Sequence, residues 1–175
     1  MFKKKGQIWI ETVIYTLIAF VLIAAVLAFV KPKIDELQDK AVIEQTISML
    51  KDVDATVTEI VQGGSGNKRK LEVGINKGTL KIDGVTNQLV FEIESNFIYS
   101  EPGKEVQDGN ILINTEEIGN RGKVTLKRVY EDYNITFSGS DEIKTIGKAS
   151  TAYSIFVTNK GRDDNDKWRV DFELG

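Results

Sequence analysis

The sequence predicts an α+β protein with a lollipop layout, in which a long N-terminal membrane-spanning helix continues into an amphipathic helix and precedes a small antiparallel β-sandwich-like domain. Nineteen consecutive residues, 12–30, carry no charge. Good helix formers follow as far as Gln62, and beyond "GGSGN" apolar residues alternate with polar ones. The chain therefore divides into a helical part that ends at residue 62 and a β domain at 63–175.

The apolar run is long enough to cross a bilayer as a helix. About 20 residues at 1.5 Å each match a hydrocarbon core of roughly 30 Å. Lys3, Lys4 and Lys5 precede the run and slightly favour a cytoplasmic N-terminus, with the rest of the chain outside. A buried core helix is the competing interpretation, but a short basic N-terminus before an unbroken apolar run disfavours it. The exit "FVKPK" is a poor site for an ordinary signal peptidase.

The helix that follows carries two apolar stripes, and the apolar face changes sides near residue 42. We interpret the second stripe as packing on the chain's own domain and the first as left for a neighbouring copy. An irregular helix with scattered apolar residues is the alternative. The first stripe contains Val30, Ile34, Leu37 and Ala41, and the second contains Ile43, Ile47, Leu50, Val57 and Val61.

After residue 63 the period of the apolar residues becomes two, as in short antiparallel strands separated by turn signals such as "NKG" and "DGVTN". The last strand is the clearest, because Trp168, Val170 and Phe172 alternate with polar residues and are expected to face inward. Leu174 continues this face. Six to nine such strands suggest a small β-sandwich or a curved sheet on the helix. The candidate strands lie at 71–75, 80–82, 89–93, 110–114, 123–130, 133–137, 151–159 and 167–174.

Composition excludes several classes of function. The 175 residues include no Cys and no His, which removes disulfides, thiolate nucleophiles, the usual zinc sites and the commonest general base. A net charge of −3 argues against a nucleic-acid partner, which needs a basic surface. We expect no enzyme activity, no cofactor and no metal site.

Three stretches resemble chemical sites without meeting their requirements. "GGSGNKRK" at 63–70 follows a helix and lacks phosphate-loop spacing, so a linker is the better interpretation. "GRDDND" at 161–166 offers the oxygen ligands that Ca²⁺ prefers but lacks the pattern of an EF-hand, which favours a solvated loop. Glu116 and Glu117 are adjacent and would lie on opposite faces of a strand, so they cannot serve as a catalytic pair.

"NIT" at 134–136 is an N-glycosylation sequon, which suits an extracellular domain. In the alternation, Ile135 and Phe137 point inward with Tyr133, whereas Asn134 and Thr136 point outward. Asn134 is therefore a candidate glycosylation site.

Glu11 stands just inside the apolar region, where a charge is costly unless it is paired. It follows the basic stretch "KKKG" and Gln7. A few basic residues, a Gly and then Gln-x-x-x-Glu at the head of an apolar run resemble the class III signal peptide of archaeal type IV pilin-like proteins. That family usually has a serine where this chain has Trp9.

The resemblance implies that a prepilin peptidase removes a leader at residues 1–6 by cleavage between Gly6 and Gln7. Residues 7–62 then form the transmembrane and stalk helix, and 63–175 the extracellular β domain. Gln7 becomes the new N-terminus and Glu11 the fifth mature residue, and both take part in subunit assembly. The implied partners are the membrane, further copies joined through the N-terminal helices, and the pilus assembly platform with its ATPase.

Two classes of function stay open. The first is a structural subunit of an archaeal type IV pilus-like surface filament used in adhesion, with an archaellum or a secretion-type pseudopilus as variants. The second is a single-pass membrane-anchored extracellular binding or envelope domain that does not polymerise. Glu11 favours the first, since a plain anchor has no use for a carboxylate there.

Overall fold

The computed structural model describes residues 3–119 and 121–175, with residues 3–8 described by their backbone alone. Met1 and Phe2, which begin the predicted leader, lie outside the described residues. The chain divides into two compact units, Met1–Gln38 and Asp39–Gly175. The described part of the chain forms helix α1 (Lys3–Gln62) and strands β1 (Lys68–Val73), β2 (Thr79–Asp83), β3 (Gln88–Ser95), β4 (Glu105–Asp108), β5 (Ile111–Ile118), β6 (Arg121–Val129), β7 (Tyr133–Phe137), β8 (Ile143–Gly147), β9 (Tyr153–Arg162) and β10 (Trp168–Leu174).

Helix α1 ends where the sequence predicts. Gly63 donates its N–H to the carbonyl of Glu59 at 2.9 Å, and Gly64 donates to Val61 at 3.1 Å. Gly64 has a φ of 88°, which L side chains rarely adopt, so the chain leaves the helix at a residue that can take this conformation. The prediction that the helix extends to Gln62 is confirmed.

The strands form two sheets, and the chain is an α+β protein as predicted. Within the described residues, the small sheet has four strands in the order β1-β9-β10-β7. The large sheet has six strands in the order β4-β5-β6-β3-β2-β8. The sequence predicts neither β4 nor β8, because both are short edge strands with few apolar residues.

One strand pair corrects the prediction that all strands are antiparallel. β7 and β10 are parallel, with Tyr133 opposite Trp168 and Phe137 opposite Phe172. Between them the chain forms β8 in the large sheet and then β9 in the small sheet. It then enters β10 beside the residue at which β7 begins, so the two strands run in the same direction. Alternation has the same period in parallel and antiparallel strands and could not distinguish them.

The core lies between the second stripe of α1 and the inner faces of both sheets. Ile43, Leu50 and Val57 on the helix are fully buried, and Ile47 is 5% exposed. Val61 packs against the same cluster. The prediction that this stripe packs on the chain's own domain is therefore confirmed. Each sheet contributes buried residues to the cluster, including Leu80, Leu89, Phe91 and Leu126 from the large sheet and Val73, Val157, Val170 and Phe172 from the small sheet.

The last strand differs from the alternation in three places. Trp168 is half-buried rather than internal, and the guanidinium of Arg162 lies 4.6 Å from the centre of its ring. Leu174 is 38% exposed. Asp171, which the alternation places outside, is 1% exposed. Its carboxylate is buried because neighbouring donors bind it: Oδ1 accepts from Thr136 Oγ1 at 2.7 Å and from the Gly139 N–H at 2.8 Å.

Candidate functional site

The segment of α1 between positions 9 and 30 is mostly apolar, and every residue in it is exposed. It belongs to the one helix, among the described residues, whose length and composition suit a membrane crossing, and its most apolar window has no buried residue. Trp9 is 74% exposed and Phe29 is 80% exposed. Soluble proteins rarely expose an apolar surface of this extent, so the segment needs a cover. It is compatible with a single-pass membrane anchor.

Glu11 lies in α1 beside Ile10 and Val13, and all three are exposed. Gly6 and Gln7, the predicted cleavage site, lie on the same helix, but their side chains are outside the described residues. Gln7 and Glu11 are four residues apart, which places them one turn apart on one side of the helix. Among the side chains that the structure describes, none forms an ion pair with Glu11.

Asp39, the first residue of the second compact unit, binds two loops to the helix. It is only 4% exposed. Its Oδ2 accepts from the Asn96 N–H at 2.7 Å and from Asn96 Nδ2 at 3.0 Å, and its Oδ1 pairs with Lys77. Sequence analysis missed this group, since the partners lie 38 and 57 residues away. The contacts fix the start of the second compact unit to the connections at 74–78 and 96–104.

A second polar group joins α1 to the large sheet. Asp54 accepts from Arg128 Nε at 2.6 Å and from Asn110 Nδ2 at 2.9 Å. The Arg128 guanidinium lies 4.4 Å from the centre of the Tyr130 ring. Burial, together with the Asp54 carboxylate, raises the pKa of Tyr130 far above its ordinary value, so the phenol stays neutral. A neutral, 2% exposed phenol suits a structural role better than proton transfer.

Asn134 lies in β7 and is half-buried, and its Nδ2 donates to Asp163 at 3.3 Å. The prediction that Thr136 points outward is wrong, because Thr136 is 2% exposed and donates to Asp171. Glycosylation of Asn134 stays a prediction.

In the 161–166 loop, the carboxylate of the first aspartate, Asp163, binds nearby backbone N–H groups. Asp163 Oδ1 accepts from the N–H groups of Asn165 and Lys167, each at 2.9 Å. The bond from Lys167 is the largest effect and lowers the pKa of Asp163; burial opposes it, and the bond from Asn165 adds to the lowering. Among the described residues, no three acidic side chains come close enough to hold a metal ion.

Charged residues cover the outer face of the large sheet, with Glu92 at their centre. Glu92 pairs with Lys123 at 2.8 Å and with Lys81 at 2.6 Å. These hydrogen bonds, first from Lys123 and then from Lys81, lower the pKa of Glu92 from 4.5. The stabilisation is therefore fully present above pH 4.5 and is lost as the pH falls through the lower pKa of the folded state.

We expect Glu92→Gln to cost about 0.5–1 kcal/mol of unfolding free energy at neutral pH, because it removes the charge that both lysines bind. The cost should shrink toward zero at an acid pH below the lowered pKa of Glu92, where the native carboxyl is also protonated. Chemical unfolding of both proteins at the two pH values measures the difference. Glu94→Gln, at an exposed position 3.8 Å from Arg121, is the matched control and should cost less. A cost of Glu92→Gln that is independent of pH would contradict the charge explanation.

The placement of these residues leaves the apolar helix with Glu11 as the strongest functional candidate. Comparison with protein-family models, curated proteins and solved structures finds no match to this chain.

Proposed function

We propose that this protein is a structural subunit of an archaeal type IV pilus-like surface filament, which serves adhesion or surface attachment and assembles through the N-terminal apolar helix. Glu11 carries the proposal, as an exposed carboxylate at the start of the apolar segment of α1. A charge inside a bilayer is costly unless it is paired, so a plain anchor gains nothing from it. An assembling subunit can pair Glu11 with a group on a neighbouring copy.

The proposed route begins with a precursor in the cell membrane, with its C-terminal domain outside. A prepilin peptidase cleaves between Gly6 and Gln7. The pilus assembly platform and its ATPase then transfer the mature subunit into the filament. The apolar side chains of the helix exchange lipid for neighbouring subunits, which gives a cover to the exposed surface around Trp9 and Phe29.

We also propose that the two sheets form the layers of a β-sandwich-like domain, with α1 along one side. Support comes from a small apolar cavity that both sheets line. Val73 and Phe172 of the small sheet meet Leu80 and Leu89 of the large sheet there, and Val53 of the helix completes the wall. A domain of this kind would be displayed on the filament.

Processing at Gly6 tests the proposal. We expect Gly6→Val to block cleavage, because the bulky side chain precedes the scissile bond, and to trap the precursor in the membrane without filaments. Gly6→Ala keeps a small residue and is the matched control. N-terminal sequencing of the membrane and filament fractions, with electron microscopy of the cells, gives both readouts. The native protein should start at Gln7.

The alternative function predicts a different result. A membrane-anchored binding or envelope domain needs no cleavage before its apolar helix. Native protein that retains Met1 or Phe2 in the membrane, in cells without filaments of this chain, would overturn the filament proposal and leave the anchor.

A further inference from the structure

A groove of about 600 Å³ runs between α1 and β1. Its helical wall contains residues between positions 41 and 53, and its other wall contains residues 71–74. The groove lies entirely within the second compact unit. Its helical wall consists of Ala41, Glu44, Gln45, Ser48, Met49, Asp52 and Val53.

The strand borders this groove with its backbone edge. Four consecutive residues, 71–74, line the groove, although successive side chains of a strand point to opposite faces. An edge, unlike a face, presents consecutive residues on one side. Among the described residues, β1 pairs with β9 alone, so its other edge offers unpaired N–H and C=O groups. A strand from another molecule can bind such groups directly.

The size of the groove also favours an extended occupant. The helical wall from 41 to 53 is about 18 Å long at 1.5 Å per residue, which matches about five residues of a strand. A helix about 10 Å wide would occupy roughly 1,400 Å³ over that length, more than twice the volume of the groove. A strand, at about 4.8 Å by 10 Å in section, would occupy roughly 850 Å³. The groove is open on one side, so the part of a strand that exceeds the volume of the groove can lie there.

The charge of the groove selects a basic occupant. Glu44, Asp52 and Glu72 line it, and no Lys or Arg does. Glu72 pairs with Lys70 at 2.6 Å, and Glu44 lies 3.8 Å from Lys40. Asp52 has no cationic partner among the described residues. Met49 and Leu71, both partly buried, add an apolar surface. The groove therefore fits an extended segment that carries lysines and an apolar side chain.

Strand β8 of this chain has those properties. It lies at the edge of the large sheet and, within the described residues, pairs with β2 alone. Ile143 is 55% exposed. Lys144 lies over the ring of Phe137 at 5.3 Å, and neither it nor Lys148 pairs with a carboxylate among the described side chains.

The other sheet edges are less suitable. β4 carries Glu105 and Asp108, which the carboxylates of the groove would repel. β7 buries Ile135, Thr136 and Phe137 in its own domain. Among these three edges, only β8, with Lys144 in the strand and Lys148 directly after it, combines two lysines that lack a carboxylate partner among the described side chains with an exposed apolar side chain.

We propose that the groove between α1 and the free edge of β1 binds strand β8 of a second copy of this chain. Ile143 of one copy contacts the Met49 and Leu71 surface of the next, and the two lysines approach Asp52 and its acidic neighbours. This proposal rests on the proposed filament, in which assembly brings successive copies together, but the contact itself needs only two copies. Because the two surfaces differ, each bound pair of copies leaves one groove and one β8 free, and the contact can repeat along an open chain.

Disulfide cross-linking of the full chain in membranes and filaments tests the interface, and the natural chain has no Cys to interfere. Two differently tagged copies are produced together, one with Ser48→Cys in the groove and one with Thr145→Cys on β8. Each copy has a single Cys, so a bond must join two chains. We expect a cross-linked heterodimer on mild oxidation. Ala55→Cys, an exposed helix position outside the groove, replaces Ser48→Cys in the control and should give at least tenfold less.

Charge exchange distinguishes direct contact from a folding defect. Asp52→Lys alone and Lys144→Glu alone should each reduce the Ser48–Thr145 cross-link several-fold, and the two together should restore it. Equal cross-linking of Ala55→Cys, or no restoration by the double exchange, would overturn the interface. Electron microscopy of the same cells separates the two proposals. Filaments without the cross-link refute the interface and leave the filament, whereas the cross-link without filaments supports the interface and refutes the filament.

Discussion

Glu11→Gln is expected to abolish or strongly reduce filament assembly while leaving leader cleavage and membrane insertion intact. The proposed cleavage after Gly6 would create an α-amino group at Gln7, whose ordinary pKa of about 7.7–8.0 would leave it positive under most conditions. Because Gln7 and Glu11 are one helical turn apart, this amine can form an ion pair with Glu11 of the same chain. The resemblance to pilins implies instead an ion pair between subunits, in which Glu11 of an incoming subunit binds the Gln7 amine of a neighbour already in the filament.

The size of the effect follows from the surroundings of the pair. Ile10, Val13 and Ile14 are 59%, 47% and 51% exposed around Glu11 and would exclude water once lipid or other helices cover them. In such a low-dielectric environment a charge pair attracts strongly, and an unpaired carboxylate carries a large penalty. The pair would therefore set the axial register, while the apolar side chains supply most of the contact area.

Electron microscopy of filaments and N-terminal sequencing of the membrane fraction measure the two expected outcomes. Glu36→Gln is the matched control, because Glu36 is an acid of the same helix beyond the apolar run, where it pairs with Lys33 at 2.7 Å. It should leave assembly unchanged. Normal numbers of filaments from the Glu11→Gln protein would refute the register role and leave Glu11 as a residue that the peptidase alone could require.

The helix was predictable because local signals fix it. The period of Ile43, Ile47 and Leu50 identifies the buried face, and Gly63 and Gly64 end the helix whatever the rest of the chain does. Strand order was not predictable in this way. The parallel β7–β10 pair and the edge position of β1 depend on the order in which the strands are placed in the two sheets. The alternation of apolar and polar residues does not encode that order.

The features of the candidate site also differ in whether the local sequence reveals them. Glu11 was visible in the sequence because a charge in an apolar run is a local anomaly. The groove beside β1 was not, since it exists only once a strand edge lies along α1. Asp39 and Asp171 escaped notice for a related reason. Each carboxylate is buried because it binds donors 32 or more residues away, and the local pattern of polar and apolar residues in a helix or a strand does not reveal such partners.

The burial of Asp171 reverses an expectation about the last strand. From the alternation, Trp168 is the residue whose removal should cost about 3–5 kcal/mol, the usual value for a buried aromatic ring. Its ring is only half-buried, so we expect Trp168→Ala to cost about 1–2 kcal/mol, including the stacked Arg162 guanidinium.

Asp171→Ala is expected to be the more damaging change, at about 2–4 kcal/mol of unfolding free energy, because it leaves two donors without their acceptor, one of them on the buried Thr136. These are the Thr136 hydroxyl and the Gly139 N–H, which now bind the same carboxylate oxygen. The ion pair with Lys160 at 3.5 Å adds little, since the lysine side chain is 43% exposed.

Chemical unfolding of the full chain in detergent, followed by circular dichroism, compares the variants of this strand. Asp171→Asn is the matched control. It keeps an oxygen acceptor for Thr136 and Gly139 while it removes the charge beside Lys160, so it should cost about 1 kcal/mol. If Asp171→Asn cost as much as Asp171→Ala, the charge would matter more than the two hydrogen bonds. A larger loss of unfolding free energy from Trp168→Ala than from Asp171→Ala would show that the buried carboxylate is not the main stabilising residue of this strand. The ring would then contribute more than its half-buried surface can explain.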